Sequence, residues 1–243
     1  CWKAGGAAVA NSDGNTASQV SVNTKAGFSI VTYTGTGSLT TVGHGLNGTP
    51  EMILTKSRSA TGSWGVLETA VNTTAENRIH LNDNGGYISY QGYKLWGDTV
   101  PTSSVFTVRE DTSTNVSGVT YVAYCWRSIP GYSKIGKYSG NGSSDGRFIY
   151  IGFRPAWVMF KRTDSSGNWF IVDSKRDPFN ECTRDLYPNT TGAETNNPNF
   201  VDFLSNGFKL RTTGASVNSG TIIYMAFAEQ PGVTSFDTFS NSR

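Results

Sequence analysis

Residues that could carry nucleophilic or acid–base chemistry are few in this chain of 243 residues, which has two histidines and three cysteines. His44 lies in the glycine-flanked stretch 41–46, where we expect a turn or capping histidine rather than the base of a Ser-His-Asp triad. No serine stands in a Gly-x-Ser-x-Gly elbow. The cysteines show neither metal-site nor redox spacing: Cys1, Cys125 and Cys182. We expect Cys125 to be a small buried side chain in a strand.

Paired carboxylates are the other candidates, because two acids that flank a glycosidic bond can hydrolyse it. The candidate pairs are Glu68 with Asp83, and Asp173 with Asp177, Glu181 or Asp185. Glu68 and Asp173 occupy equivalent positions of an internal repeat, which is typical of structural carboxylates at strand ends. The segment 173–185 could also hold Ca²⁺ through oxygen ligands, but it lacks EF-hand or nonapeptide spacing. We therefore predict no enzyme, no bound metal and no cofactor.

A cluster of aromatic residues is the most specific candidate for binding. Four large rings fall within residues 87–96: Tyr87, Tyr90, Tyr93 and Trp96. Exposed Tyr and Trp rings supply rigid contact area that can stack on sugar faces, so these four residues are the predicted ligand site. The alternative is that the rings alternate along a strand, with half of them in the core.

Composition excludes several classes of protein. Charged residues make up only 16% of the chain and aromatic residues 12%, with 28 glycines. This profile argues against helix bundles and Rossmann-type sheets and favours an all-β protein with many turns. The net charge of +2 and the absence of basic runs argue against nucleic acid as a partner. The longest apolar runs are too short to predict membrane insertion.

The chain contains an internal repeat with an offset of 105 residues. Four residues near the middle of the first copy recur in the second as identical types: Pro50, Lys56, Gly62 and Trp64 match Pro155, Lys161, Gly167 and Trp169. The closing segments 121–124 and 224–227 also match. The period is too long for a solenoid, and one copy is long enough to hold its own core.

The repeat and the strand spacing together predict the architecture. Seven or eight short segments in each copy have the composition of strands and are separated by Gly, Asn and Asp turns. We therefore predict an all-β fold of two tandem antiparallel β-sandwich repeats, of jelly-roll or lectin-like type, at 24–130 and 131–232. Residues 1–23 form an N-terminal arm that pairs with a sheet edge or a neighbouring chain, and 233–243 form a polar tail.

Several longer segments resemble a module found in virion structural proteins of bacteriophages, marine ones especially. The resemblance lies in 2–9, 26–37, 42–46, 121–125, 131–134 and 152–159, and it runs from about Trp2 to Pro231. The family is known as a domain of unknown function near the C-terminal end of tail-fibre-like and other phage structural proteins. The resemblance does not imply a catalytic or binding role for any residue of this chain.

The resemblance implies a place and a role. The chain is expected to be a structural module on the virion surface, made in the bacterial cytoplasm, and the distal part of a tail-fibre-like protein. Its implied partners are other virion proteins, copies of itself in a trimer or another symmetric oligomer, and a host surface glycan. Adhesion to that glycan or virion assembly is the expected function. The alternatives are a purely structural decoration or fibre component without a ligand, and, less favoured, a polysaccharide-degrading enzyme.

Overall fold

The computed structural model describes residues 2–89 and 95–229, which fold almost entirely into antiparallel β-structure. The predicted all-β class is confirmed. The strands of the N-terminal half are β1 (Val9–Asn11), β2 (Ser18–Asn23), β3 (Phe28–Thr34), β4 (Thr40–Gly43), β5 (Met52–Ser57), β6 (Gly65–Glu68), β7 (Asn77–His80), β8 (Ile88–Ser89), β9 (Val105–Val108) and β10 (Thr120–Trp126). Those of the C-terminal half are β11 (Ser133–Ser139), β12 (Phe148–Tyr150), β13 (Trp157–Arg162), β14 (Trp169–Asp173), β15 (Cys182–Asp185), β16 (Thr195–Leu204), β17 (Gly207–Leu210) and β18 (Thr221–Phe227), with one short helix, α1 (Ala215–Asn218).

The internal repeat is visible in the order of the strands. The large N-terminal sheet has the order β1-β2-β3-β10-β5-β6-β7-β8, and its central part β3-β10-β5-β6 recurs as β11-β18-β13-β14. A second sheet belongs to each copy: β4-β9 in the first and β12-β17-β16-β15 in the second. We call the sheets that contain β3 and β11 the larger sheets, since their strands hold more residues than those of the second sheets. We call β3–β10 the first unit and β11–β18 the second unit. The predicted boundary at 130/131 falls in the turn between β10 and β11.

Each unit has its own core between its two sheets, because alternate residues of a strand point to opposite faces. In the first unit this core includes Val31, Val42, Phe106, Tyr121 and Ala123. In the second unit it includes Val158, Phe160, Phe208, Tyr224 and Ala226. This layering agrees with the sandwich arrangement predicted for each copy.

A third core joins the two units. The other faces of the two larger sheets are also apolar and contribute to one buried cluster, which we call the shared core: Phe28, Met52, Leu54, Val66, Ile79, Trp126, Ile135, Met159, Trp169, Ile223, Met225 and Phe227. Strands that are buried on both faces read as continuous apolar runs, as Thr221–Phe227 does. The units are therefore stacked through their larger sheets, and each supports the other.

The N-terminal arm lies along the edge of the first unit. Strand β2 pairs with β3 over six residues, and β1 pairs with β2. Nearby, the Thr16 backbone N–H donates to the Thr41 carbonyl at 2.9 Å, so the arm also contacts the edge of β4. The arm was predicted to pair with a sheet edge or with a neighbouring chain, and in the structure it pairs with a sheet edge of its own chain. The predicted tail, 233–243, lies outside the described residues.

Two Gly-x-Gly segments, at 35–37 and 140–142, form equivalent loops in the two units. Gly37 and Gly142 have positive φ values of 73° and 67°, which glycine adopts without strain. At Gly35 a Cβ atom would collide with the carbonyl oxygen of Val116, so only glycine fits at this position. Positive φ thus accounts for Gly37 and Gly142, and close packing against a neighbouring loop accounts for Gly35.

A buried asparagine holds each of these glycine loops. In the second unit, Asn218 is fully buried and its Oδ1 accepts the N–H of Asn141 at 3.1 Å, while its Nδ2 donates to the carbonyls of Ser143 and Thr212 at 2.8 and 2.6 Å. Asn115 plays the same part in the first unit. Main-chain groups buried in these loops find their partners in the two amides.

Candidate functional site

The predicted aromatic site is not assembled as a surface by the residues that the structure describes. Trp96 is fully buried in the core of the first unit, so its ring cannot stack on a ligand, and the expectation of an exposed Trp96 is corrected. Tyr87 is half-buried and packs against the shared core, with its N–H donating to the Thr163 carbonyl at 2.7 Å. Tyr90 and Tyr93 lie outside the described residues.

His44 is a turn histidine, as its glycine-flanked setting predicts. The ring is fully buried, its Nδ1 accepts the N–H of Leu46 at 3.1 Å, and its Nε2 lies 3.2 Å from the Thr102 carbonyl. These partners require a neutral imidazole with the proton on Nε2. Burial lowers the pKa of His44, so the folded state disfavours the protonated ring.

We expect the stability of the chain to fall as the pH drops below about 6.5, the ordinary pKa of histidine. Because the pKa of His44 is lower in the folded state, the unfolded chain binds the proton first, and the contribution of His44 is complete above the unfolded value and lost below it. The slope from one such group is at most about 1.4 kcal/mol per pH unit. Urea unfolding between pH 5 and 7 measures it, and a His44→Gln variant should have a flatter profile. An equally steep profile in the variant contradicts this assignment.

The remaining candidates for catalysis are engaged structurally. His80 pairs with Asp83 at 3.1 Å and lies where the two units meet, with its carbonyl accepting the indole N–H of Trp169. Cys125 and Cys182 are buried, and burial raises the pKa of each thiol to about 12. A thiol with such a pKa is a poor nucleophile at neutral pH.

The equivalent carboxylates Glu68 and Asp173 each organise the turn that follows their strand. Glu68 is buried and accepts the backbone N–H groups of residues 70, 71 and 72. Burial raises its pKa, an effect that these hydrogen bonds partly oppose. Asp173 accepts the N–H groups of Lys175 and Arg176 and the Nε of Arg176 at 2.6 Å. This duplication of role fits structural carboxylates.

Two other acids of the segment 173–185 are also hydrogen-bonded within the chain. Asp177 accepts the N–H groups of Thr183 and Arg184, and the buried Asp185 is bonded by Thr195 and Asn197. Within residues 2–89 and 95–229, no group of three or more His, Cys, Asp or Glu side chains is arranged to hold a metal ion. In that same part of the chain, no helix has the length and apolar character that a membrane span requires.

An aromatic groove opens at one end of the shared core. We call it the interface groove; it is lined by Trp2, Tyr132, Ala156, Trp157, Asp173, Lys175, Phe227, Ala228 and Glu229 and has a volume of about 470 Å³. Five chain segments meet here: the arm, the turn between the units, the start of β13, the end of β14 with the turn after it, and the end of β18. Pockets of this size accommodate small-molecule ligands.

The rings of the groove form a compact set. The Trp2 ring lies 5.3 Å from that of Trp157 in an edge-on arrangement and 5.3 Å from that of Phe227. Tyr132 contacts Phe227 edge-on at 5.7 Å. Trp2 is 38% exposed, and Trp157 and Tyr132 are half-buried, so their rings are accessible while their neighbours fix their positions. Such preorganised rings bind with little loss of side-chain entropy.

Charged groups lie along the rim of the groove. Lys175 forms an ion pair with Glu229, and its hydrogen bond and charge hold the pKa of Glu229 below its ordinary value. Burial alone would raise the pKa of Asp173, but the hydrogen bonds and charge of Arg176 outweigh it and lower this pKa. At neutral pH the groove therefore presents two carboxylates and a lysine beside aromatic rings. That set can accept and donate hydrogen bonds to hydroxyl groups while the rings contact an apolar face.

Sequence reasoning missed the groove because its rings come from distant parts of the chain. Trp2 and Phe227 are separated by nearly the whole sequence, and nothing local marks them as neighbours. One signal was present: Trp157 and Met159 alternate with Val158 and Phe160 at the start of β13, which shows that both faces of this strand are apolar. A strand with two apolar faces needs a second layer to cover it.

Comparisons with known proteins identify a family and no function. A family model described as a domain of unknown function (DUF7483) matches residues 1–231. No curated protein matches the chain. No solved structure matches it either.

Proposed function

The chain belongs to the DUF7483 family, a domain of unknown function, and we propose that it is a non-enzymatic module of a phage virion surface that binds a host saccharide in the interface groove. The observation that carries the proposal is the groove itself, where the rings of Trp2, Trp157 and Tyr132 are accessible beside Asp173 and the Lys175–Glu229 pair. The virion location rests on the resemblance of the sequence to phage structural proteins.

The chemistry of the groove favours a sugar over a flat apolar ligand. Sugar rings present C–H groups on one face and hydroxyl groups around their edge, so they need aromatic faces next to hydrogen-bonding groups. The groove provides both at its rim, and it is open enough for a chain end or a branch of a surface polysaccharide. The carboxylates at the rim accept hydrogen bonds from hydroxyl groups without needing a metal.

A purely structural role is the second candidate, and the packing of the units favours it. Two larger sheets that bury twelve apolar residues between them form a stiff body suited to a fibre or decoration protein. In that case the groove would be covered by a neighbouring virion protein, and no saccharide would bind it. The experiment below separates the two candidates.

We expect the folded chain to bind cells or glycans in an array and Trp157→Ala to weaken that binding about tenfold or more. Truncating one central ring in a binding site removes on the order of 1–2 kcal/mol or more. Lys175→Ala is a second variant, since Lys175 is exposed and its loss leaves the fold intact; we expect binding to weaken severalfold. Tyr150→Ala removes a more exposed ring elsewhere in the second unit and should leave binding unchanged.

Two results would contradict the proposal. Equal binding by the wild type, Trp157→Ala and Lys175→Ala would place the ligand elsewhere on the chain. Absence of binding by the folded wild type to every glycan and every host cell tested would leave the structural role as the better account.

A further inference from the structure

The first unit has a covered flank, and the arm is what covers it. Strand β2 pairs with the edge strand β3, with Val20 opposite Val31, and Val20 is buried in the core of that unit. The hydroxyl of Ser18 donates to the Gly43 carbonyl at 3.0 Å, which ties the arm to the end of β4. One extended segment thus covers the edges of both sheets of the first unit.

The same flank of the second unit has no such strand among the described residues. There β11 is the equivalent of β3 and pairs with β18, with its outer edge bridged only at Ser133, by Ile129. Strand β12 is the equivalent of β4 and pairs only with β17. The backbone N–H of Ile135 points away from β18, since it donates to the Ser128 hydroxyl at 3.0 Å. By strand alternation, the N–H groups of Lys137 and Ser139 point the same way.

A groove lies where the arm would be. In the first unit, a Cβ on Gly45 would meet the Val20 side chain, so Val20 fills the space beside that positive-φ glycine. In the second unit the equivalent glycine is Gly152, which also has a positive φ and, like Gly45, lies two residues after the end of its strand. Beside it is a groove of about 380 Å³ lined by Ser128, Pro130, Ser133, Lys134, Tyr150 and Ile151.

Exposed aromatic side chains mark the same flank. Phe148 and Tyr150 of β12 are 44% and 68% exposed, whereas Thr41 and Gly43, their counterparts in β4, are half-buried and buried. Large rings exposed on an edge strand are unusual for a surface that stays in water. We call this flank, formed by the outer edges of β11 and β12, the open flank.

We propose that the open flank binds an extended segment of another protein chain, which adds to β11 as an antiparallel strand in the way that β2 adds to β3. The internal repeat fixes the expected register. With an offset of 105 residues, the position of Val20 falls opposite Gly136 and the position of Gln19 falls opposite Lys137. The incoming strand therefore carries a small apolar residue opposite Gly136, as the arm carries Val20 opposite Val31.

The charged residues of β11 indicate which residue types the partner strand should carry. Lys134 and Lys137 are exposed on β11, at positions held by Ser29 and Thr32 in β3. Lysines on an edge strand discourage indiscriminate pairing between sheets. A strand with an acidic residue opposite Lys137 turns this obstacle into a favourable cross-strand pair. The partner is thus an extended segment with alternating small apolar residues and an acid at the position of Gln19.

The test uses the full chain and synthetic peptides with the sequence of residues 13–24, either unchanged, with Gln19→Glu or with Gln19→Lys. We expect the Gln19→Glu peptide to bind most tightly, about threefold or more tighter than the Gln19→Lys peptide, and to slow hydrogen exchange of the Lys137 and Ser139 amides. Lys137→Pro removes an outward N–H on an edge strand, where proline is tolerated, and should weaken binding about tenfold.

A charge-reversed variant of Lys137 tests the same contact without the effects that a proline could have on folding. In a Lys137→Glu chain, the order of the Gln19→Glu and Gln19→Lys peptides should reverse. The proposal is overturned by slow exchange of the Lys137 and Ser139 amides in the free chain, because the edge would then already be occupied. It is also overturned if no peptide binds at millimolar concentration, or if peptide binding is insensitive to both Lys137 variants.

Discussion

Trp169→Ala is expected to lower the free energy of unfolding of the whole chain by about 3–5 kcal/mol, the range for removing a buried tryptophan. The Trp169 side chain is 1% exposed in the shared core. Its indole N–H also donates to the His80 carbonyl of the first unit at 2.9 Å. Because this one side chain packs in the core that both units share, its loss should destabilise the two units together. Urea unfolding followed by tryptophan fluorescence and by circular dichroism measures both quantities.

The repeat supplies a matched control for this experiment. Trp64 occupies the equivalent position of the first unit but is only half-buried, with its ring stacked near that of Tyr124 at 6.3 Å. We expect Trp64→Ala to lower the free energy of unfolding by about 1 kcal/mol. Similar losses for the two variants, or two separate transitions of which Trp169→Ala shifts one, would show that the units do not depend on a common core.

Asn218→Ala should have the second-largest effect, a loss of about 3 kcal/mol. The amide of Asn218 is fully buried and satisfies the N–H of Asn141 and the carbonyls of Ser143 and Thr212. Alanine leaves these three main-chain groups without that partner, and a buried polar group without a partner costs about 1–3 kcal/mol. Thermal and urea unfolding of the variant provide the measurement.

Asn141→Ala is the control within the same loop. The Asn141 side chain is exposed, and its backbone N–H, which bonds Asn218, is unchanged by the substitution. We expect a change below about 0.5 kcal/mol. If Asn218→Ala were as mild as Asn141→Ala, water would be replacing the amide, and the glycine loops would not depend on it.

The sequence predicted that one arrangement of strands occurs twice, although it did not predict the order of the strands within that arrangement. The match of Pro50, Lys56 and Trp64 to residues 105 positions later predicts two copies of one unit, and the order β3-β10-β5-β6 does recur as β11-β18-β13-β14. Hairpins and closing strands follow from local turns and alternation, which act over a few residues. The place of β10 between β3 and β5, in contrast, depends on contacts between distant parts of the chain.

The stacking of the units was not predicted, although its signal lies in β18. Its run Thr221–Phe227 is apolar at nearly every position, which indicates a strand covered on both faces. The sequence does not say which surface provides the second cover. The same apolar run would arise from a core within one copy or from a core between the two copies. Two tandem units, each with its own core, were therefore the simpler expectation.

The sequence pointed to an aromatic site at a different place in the chain from the groove that the structure contains. The dense rings at 87–96 were expected to meet sugars, yet Trp96 is a core residue of the first unit. The accessible rings are Trp2 and Trp157, which become neighbours only when the two larger sheets stack and the arm crosses their junction. Local density of aromatic residues reports propensity for burial as much as for binding.

The most direct test of the saccharide proposal observes the six indole N–H groups of the chain by ¹⁵N-edited NMR while an oligosaccharide selected on the array is added. The account predicts that the signals of Trp2 and Trp157 shift in a saturable way, and that those of Trp64, Trp96 and Trp169 stay in place. Saturable shifts confined to tryptophans outside the interface groove, or binding with no indole shift at all, would contradict it.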